Sequence, residues 1–296
     1  MFARAERPDL TREGADWPLR ESSRRVEAGG FDWHVQRLGK GPPLLLLHGA
    51  GGATHSWRGL APLLAERFEI VAPDLPGHGF TDTAKRAPDL SLSGMAAAVQ
   101  ALTKRLDFEP RVVLGHSAGA AILVRLCAEG ALTPDLLVGV NAALRPFKGP
   151  AGRLFPAMAK LLFLNPVTPR LFAWSADNEA VAKMIRGMGS RLDARGVELY
   201  GRLMRNPAHC QGALGMMANW RPETLIDDFP KVAARTLLIV GANDKAVPPG
   251  EAREVAAAFR SAIVETLPGL GHLAHEENPE AVARLVFSYA GAAPRT

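Results

Sequence analysis

Along the chain, short apolar runs alternate with stretches of helical periodicity, and this rhythm is broken only in the middle. Trp33 to Leu38 reads as an early strand. Pro43 to His48, PLLLLH, is a continuous apolar run stopped by Gly49, the pattern of a strand buried on both faces. Phe68 to Pro73, Arg111 to Gly115, Leu136 to Asn141, Thr236 to Gly241 and Ile263 to Leu267 extend the series. Between them, 57–67, 93–106, 118–130, 250–260 and 279–290 carry helix-like patterns. Strands separated by helices in this way predict an α/β fold, with a mostly parallel central sheet flanked by helices.

The interval 144–228 departs from that rhythm. It holds no convincing strand and reads as several helices divided by Pro and Gly (LFPAMAKLLFL, NEAVAKMIRGM, VELYGRLMR, CQGALGMMANW). An interruption of this length is too long for a simple loop and predicts an inserted helical cap. The expected organisation is therefore a polar N-terminal segment over 1–25, a core over 26–143 and 229–296, and a cap over 144–228. The first twenty residues or so, polar and rich in Arg and Glu, are expected to be poorly ordered.

Composition narrows the classes. With 296 residues, 47% hydrophobic and 22% charged, the chain is long enough to bury a sizeable core. Cys127 and Cys210 form no CxxC pair, which excludes a disulfide scaffold or thiolate zinc cluster and fits a reducing compartment. The N-terminus carries no apolar stretch resembling a signal peptide. The nearest candidate for a span, Leu154 to Trp174, is interrupted by Pro156, Lys160, Pro166, Pro169 and Arg170. A cytoplasmic protein is expected. The net charge is +5, but residues 145–205 alone carry +7, a local excess that bears on partners.

The candidate chemistry begins at Gly115-His116-Ser117-Ala118-Gly119, a G-x-S-x-G pattern between the strand RVVL and the helical AAILVRLCAEG. Such a turn holds Ser117 strained and exposed, with the Ala118 N–H free at a helix start to face a developing oxyanion. A serine hydroxyl needs a base, and the base needs an orienting group. In hydrolases built this way the chain order is Ser, Asp or Glu, then His. Asp244 in GAND and His272 in GLGH each follow a strand and fit those roles. His275 is the alternative base. His48-Gly49-Ala50-Gly51-Gly52 closes the strand PLLLL and offers a second oxyanion donor, Ala50, with Gly51 as the alternative. His48 is read as a hydrogen-bonding support for that loop, and Asp74-Leu75-Pro76-Gly77-His78-Gly79 as a structural turn.

Together HGAGG, PDLPGHG, GHSAG, GAND and GLGH resemble the α/β-hydrolase superfamily over roughly residues 26–290. The Asp16-Trp17-Pro18 start, the WHVQR strand and the THSWR run resemble, more narrowly, the magnesium-chelatase accessory proteins of bacteriochlorophyll biosynthesis. That resemblance implies a role in photosynthetic pigment synthesis around magnesium insertion, and an association with magnesium chelatase. Ser117, Asp244 and His272 match the superfamily's catalytic positions, and Ala50 and Ala118 its oxyanion donors. Serine at 117 argues against chemistry that needs a carboxylate nucleophile.

Six of the eight methionines (Met158, Met184, Met188, Met204, Met216 and Met217) lie in the predicted cap. They either adapt to a large apolar ligand or pack cap helices together. A tetrapyrrole is flat, apolar and edged with carboxylates. Met184, Met188 and Met216 with Arg145 are the candidate substrate contacts, and Arg153, Arg186, Arg191, Arg202 and Arg205 further carboxylate partners. The same basic helices equally suit a solvated face or a peripheral contact with anionic lipid. Nucleic acid is not expected, since no aromatic interleaving accompanies the charge. No cofactor or metal is implied. The sequence leaves three activities open: serine hydrolysis of an ester or related acyl bond in a bulky apolar substrate, non-catalytic porphyrin binding, and C–C bond hydrolysis.

Overall fold

The computed structural model describes residues 7–83, 88–146, 165 and 167–291. Its strands are β1 (Ser23–Ala28), β2 (Phe31–Leu38), β3 (Pro43–Leu47), β4 (Glu69–Pro73), β5 (Asp82–Thr83), β6 (Val112–His116), β7 (Leu136–Val140), β8 (Arg235–Gly241) and β9 (Ala262–Leu267). Among the described residues they form one sheet in the order β1-β2-β4-β3-β6-β7-β8-β9, with β5 beside β2. From β4 through β9 neighbouring strands are parallel, and the pairs made by β2 are antiparallel. The helices are α1 (Leu60–Leu64), α2 (Leu92–Arg105), α3 (Ala118–Ala128), α4 (Thr168–Ser175), α5 (Asn178–Gly187), α6 (Ala194–Met204), α7 (Pro207–Ala218), α8 (Ala252–Ala256), α9 (Ala274–Glu277) and α10 (Pro279–Gly291).

The central strands lack polar alternation because both faces are covered. Leu45 and Leu47 of β3 join the apolar layer that holds Met95 and Val99 of α2 and Ile122 of α3. Leu44 and Leu46 join the opposite layer with Leu60 and Leu64 of α1 and Val282 and Val286 of α10. Parallel strands of this kind send their carboxyl ends to one edge. The loops at 48–52, 117, 141, 242–247 and 268–273 all emerge there.

Two expectations are corrected at the amino end. β1 starts at Ser23, before the limit set at residue 26, and pairs with β2 through a two-residue turn. Its burial is poor along most of its length, so SRRVEA carries no strand-like apolar pattern. The segment from residue 7 onward is also packed. Trp17 is buried, with its ring 4.8 Å from Phe80 and 5.2 Å from His55, and its Nε1 donates to Thr54 Oγ1 at 2.9 Å. Asp16 pairs with Arg195 and Arg202 of α6 at 2.7 and 2.6 Å. One buried indole holds a segment whose composition is polar.

Between β7 and β8 the chain forms α4 to α7. Side chains at three N-termini take up otherwise unpaired backbone donors. Asp177 accepts from Ala180 N at 2.7 Å, Asp193 from Gly196 N at 2.7 Å, and Asn206 from Ala208 N and His209 N at 3.0 Å. The predicted helix LFPAMAKLLFL, with Arg153 and Met158, lies outside the described residues. No helix among the described residues is long and apolar enough to cross a membrane.

Candidate active site

Ser117 stands between β6 and α3 with φ 50° and ψ −115°, a conformation costing a non-glycine residue about 1–3 kcal/mol. The turn is possible because the flanking glycines allow close approach. A Cβ on Gly115 would lie 2.4 Å from Ala120 N, and one on Gly119 2.2 Å from Leu47 O. The Ser117 carbonyl accepts from Ala120 N at 3.2 Å and Ala143 N at 3.1 Å. A trans peptide is planar, so holding that carbonyl aims the Ala118 N–H in the opposite direction. Ala118 is the first residue of α3, and its N–H has no partner within the helix.

The 48–52 loop is set by the same logic. Leu75 N donates to His48 Nε2 at 2.8 Å, which leaves the ring proton on Nδ1 to donate to Gly49 O at 2.8 Å. Gly52 N also donates to Gly49 O, at 3.1 Å. With that carbonyl held, the Ala50 N–H is fixed in orientation. Gly49 lies against the Ser117 turn: a Cβ there would be 3.0 Å from Ser117 Cβ. His48 thus gives the loop its hydrogen-bonded support.

Asp244 and His272, 28 residues apart in the chain, meet through His272 Nδ1 and Asp244 Oδ2 at 2.8 Å. Oδ2 also accepts from Asn141 Nδ2 at 2.7 Å, and Oδ1 accepts from Ala246 N and Val247 N at 2.8 Å. Asn141 takes φ 47° at the end of β7, a region asparagine tolerates. His116, the neighbour of Ser117, has Nε2 2.9 Å from the His272 carbonyl, and the two rings lie 4.8 Å apart. The structure therefore brings the loops of Ser117, Ala50, Asp244 and His272 to one rim. His275 is buried between Trp57 and His116 and its ring nitrogens have no partner among the described residues.

Asp74 does more than close a turn. Its buried carboxylate accepts from Thr54 N at 2.6 Å and Phe80 N at 2.8 Å, and faces His34 Nδ1 at 2.8 Å. Burial opposes ionisation, yet the facing His34 and these hydrogen bonds hold the carboxyl below its ordinary range.

Several expected substrate contacts are engaged elsewhere. Met216 is fully buried in the main core, so it packs protein and presents no face to a ligand. Arg145 is paired with Glu254 at 2.5 Å. Arg202 is committed to Asp16 and Glu198, and Arg205 reaches Ala176 O and Asn178 Oδ1 at 3.3 Å. Met188 packs partly buried beside Val181 and Leu273, while Met184 is 38% exposed. Arg186 and Arg191 line a cleft of about 710 Å³ together with Lys245 and Asp244. Among the described residues no cluster of three or more His, Cys, Asp or Glu is arranged to hold a metal.

Sequence reasoning misses Asn141, His116, Ser190 and His209. Each meets a partner distant in the chain. The insertion also touches α9, just after His272, where Tyr200 donates to Glu276 at 2.8 Å and Arg58 pairs with the same carboxylate. Burial pushes Glu276 up to about 7.

All eight histidines are buried. Burial lowers the pKa of His48, His55, His78 and His116, and brings His209 and His275 down to about 3. The unfolded chain protonates these rings below about pH 6.5 while the fold does not. Their stabilisation is full above that pH and is lost progressively as pH falls below it, down to about 3 for His209 and His275. Glu276 works the other way between its ordinary value of 4.5 and about 7, but the histidines outnumber it. Urea midpoints are expected to fall from pH 7.5 to pH 5, and a flat profile would contradict this.

A strained serine turn after the fifth strand of the order, a hydrogen-bonded glycine loop beside it and a His–Asp pair at the same sheet edge are the arrangement of the alpha/beta hydrolase class. The alpha/beta hydrolase family profile matches residues 44–285, and the chain belongs to that family. It is 37% identical over 279 residues to the magnesium-chelatase 30 kDa subunit of Rhodobacter capsulatus, covering 93% of this chain and 96% of that protein. It is 26% identical over 277 residues to the 2-hydroxy-6-oxo-6-phenylhexa-2,4-dienoate hydrolase of Burkholderia cepacia, covering 88% and 91% of the two chains. An alpha/beta hydrolase fold protein from Burkholderia ambifaria superposes with a TM-score of 0.76 at 23% identity, over 96% of this chain and 99% of that one.

Proposed function

We propose that the protein is a serine hydrolase of bacteriochlorophyll synthesis, acting near magnesium insertion on an ester or related acyl bond of a bulky apolar, tetrapyrrole-like substrate. Ser117 Oγ attacks the acyl carbon, and His272 takes the hydroxyl proton and returns it to the leaving group. Asp244 holds His272 in the tautomer with Nδ1–H, and the N–H groups of Ala50 and Ala118 stabilise the tetrahedral oxyanion. The described residues of the 144–228 insertion serve as the cap over this rim. The observation that carries the reading is the 2.8 Å His272–Asp244 bond beside the strained Ser117 turn. The pathway rests on the 37% identical relative and its printed name.

That name also favours a second reading, a non-catalytic accessory of the chelatase. Pigment-intermediate profiles of a deletion strain complemented with wild type or Ser117→Ala separate the two. Under the catalytic reading Ser117→Ala leaves the same intermediate accumulated as the deletion, and full restoration of pigment would overturn it. Asp244→Asn offers a further check on the purified protein. An amide there no longer selects the productive tautomer, and turnover of an activated ester is expected to fall by about 10³–10⁴. A loss below tenfold would remove Asp244 from the mechanism.

A further inference from the structure

We infer that the insertion between β7 and β8 is a positioning scaffold for the catalytic loops, acting through the Met188–Ser190 turn on Asp244 and His272 and through His209 on the 49–52 loop. The inference rests on the catalytic reading above.

The turn follows α5 and enters between the loops after β8 and β9. Met188 O accepts from Lys245 N at 3.2 Å and from His272 N at 3.4 Å. One carbonyl of the insertion therefore spans the residue after the acid and the base itself. Buried Ser190 accepts from Leu273 N through its Oγ at 2.8 Å. Arg191 N donates to Glu277 at 3.1 Å, and the same carboxylate takes Gly271 N at 2.8 Å. Gly189 has φ 85°, and a Cβ there would stand 1.9 Å from Asn243 O. No side chain fits between the acid loop and this turn, so the backbone sets their spacing.

His209 of α7 reaches the opposite side of the rim. Gly79 N donates to its Nδ1 at 3.0 Å, so the ring proton sits on Nε2 and donates to Gly51 O at 3.2 Å. Gly51 directly follows Ala50, the assigned oxyanion donor. The two contacts are independent: one holds the spacing of base and acid, the other the loop that presents the donor.

A misplacement of about 1 Å in such a site costs on the order of 10²-fold in rate. The test uses the full chain, a fluorophosphonate probe and the low-field proton resonance of His272 Nδ1–H. Ser190→Ala is expected to slow acylation about tenfold and to shift or broaden that resonance, and Ser190→Thr to restore both to within about twofold. His209→Leu is expected to slow acylation about tenfold while leaving the resonance in place. Should Ser190→Ala not fold, Ser190→Cys takes its place with the same expectation. Wild-type acylation rates and an unchanged resonance in the Ser190 variant would overturn the inference, as would a normal rate in His209→Leu. If the wild type itself is not acylated, the catalytic reading fails separately. The resonance then still decides: a shift in the Ser190 variant supports the scaffold and constancy refutes it.

Discussion

Replacing Ser117 by alanine is expected to lower turnover of an activated ester by about 10⁴–10⁶, with little change in stability. The backbone turn at φ 50° is held by Gly115, Gly119 and the carbonyl contacts of residue 117, none of which uses the hydroxyl. Alanine is thus tolerated there, and its effect isolates the nucleophile. Some rate above the uncatalysed reaction is expected to persist, because the N–H groups of Ala50 and Ala118, the proposed oxyanion donors, are left in place. Initial rates with a p-nitrophenyl ester, beside a thermal melt, provide the check. A variant retaining more than about a tenth of the activity would exclude Ser117 as nucleophile.

The largest effect on stability is expected at Asp74. Its carboxylate accepts from Thr54 N and Phe80 N and faces His34, all in a fully buried site. In Asp74→Ala two backbone donors and an imidazole lose their acceptor without gaining water. Removing one member of a buried ionic network costs about 3–5 kcal/mol. Thr54 accepts from the Trp17 indole, so the N-terminal segment is expected to loosen as well. Urea unfolding followed by Trp fluorescence measures both, and a loss below about 1 kcal/mol would contradict the assigned role.

The parallel half of the sheet is legible in the sequence because its strands are buried on both faces. PLLLL, LLVGV and RTLLIVG need no tertiary information to stand out. Ser117, Asp244 and His272 are legible as candidates because each closes an apolar run, and topology sends those ends to one rim. β1 is not, because an edge strand with exposed Arg24 and Arg25 carries no apolar signature. The packing of Trp17 depends on Thr54, His55 and Phe80, which lie far along the chain. Methionine count does not distinguish Met216, sealed in the core, from the exposed Met184. Likewise arginine count does not reveal that Glu254 already holds Arg145. Ser190, in the turn after α5, and His209, in α7, carry no local motif, and their positions gain meaning only from the loops they meet.

The most direct test of the account is fluorophosphonate labelling of the folded protein, with the modified residue mapped by mass spectrometry. One label per chain on Ser117 is expected, absent in Ser117→Ala and slowed in His272→Gln. A folded wild-type protein that takes up no label, or takes it at another residue, would contradict the claim that Ser117 is an activated nucleophile.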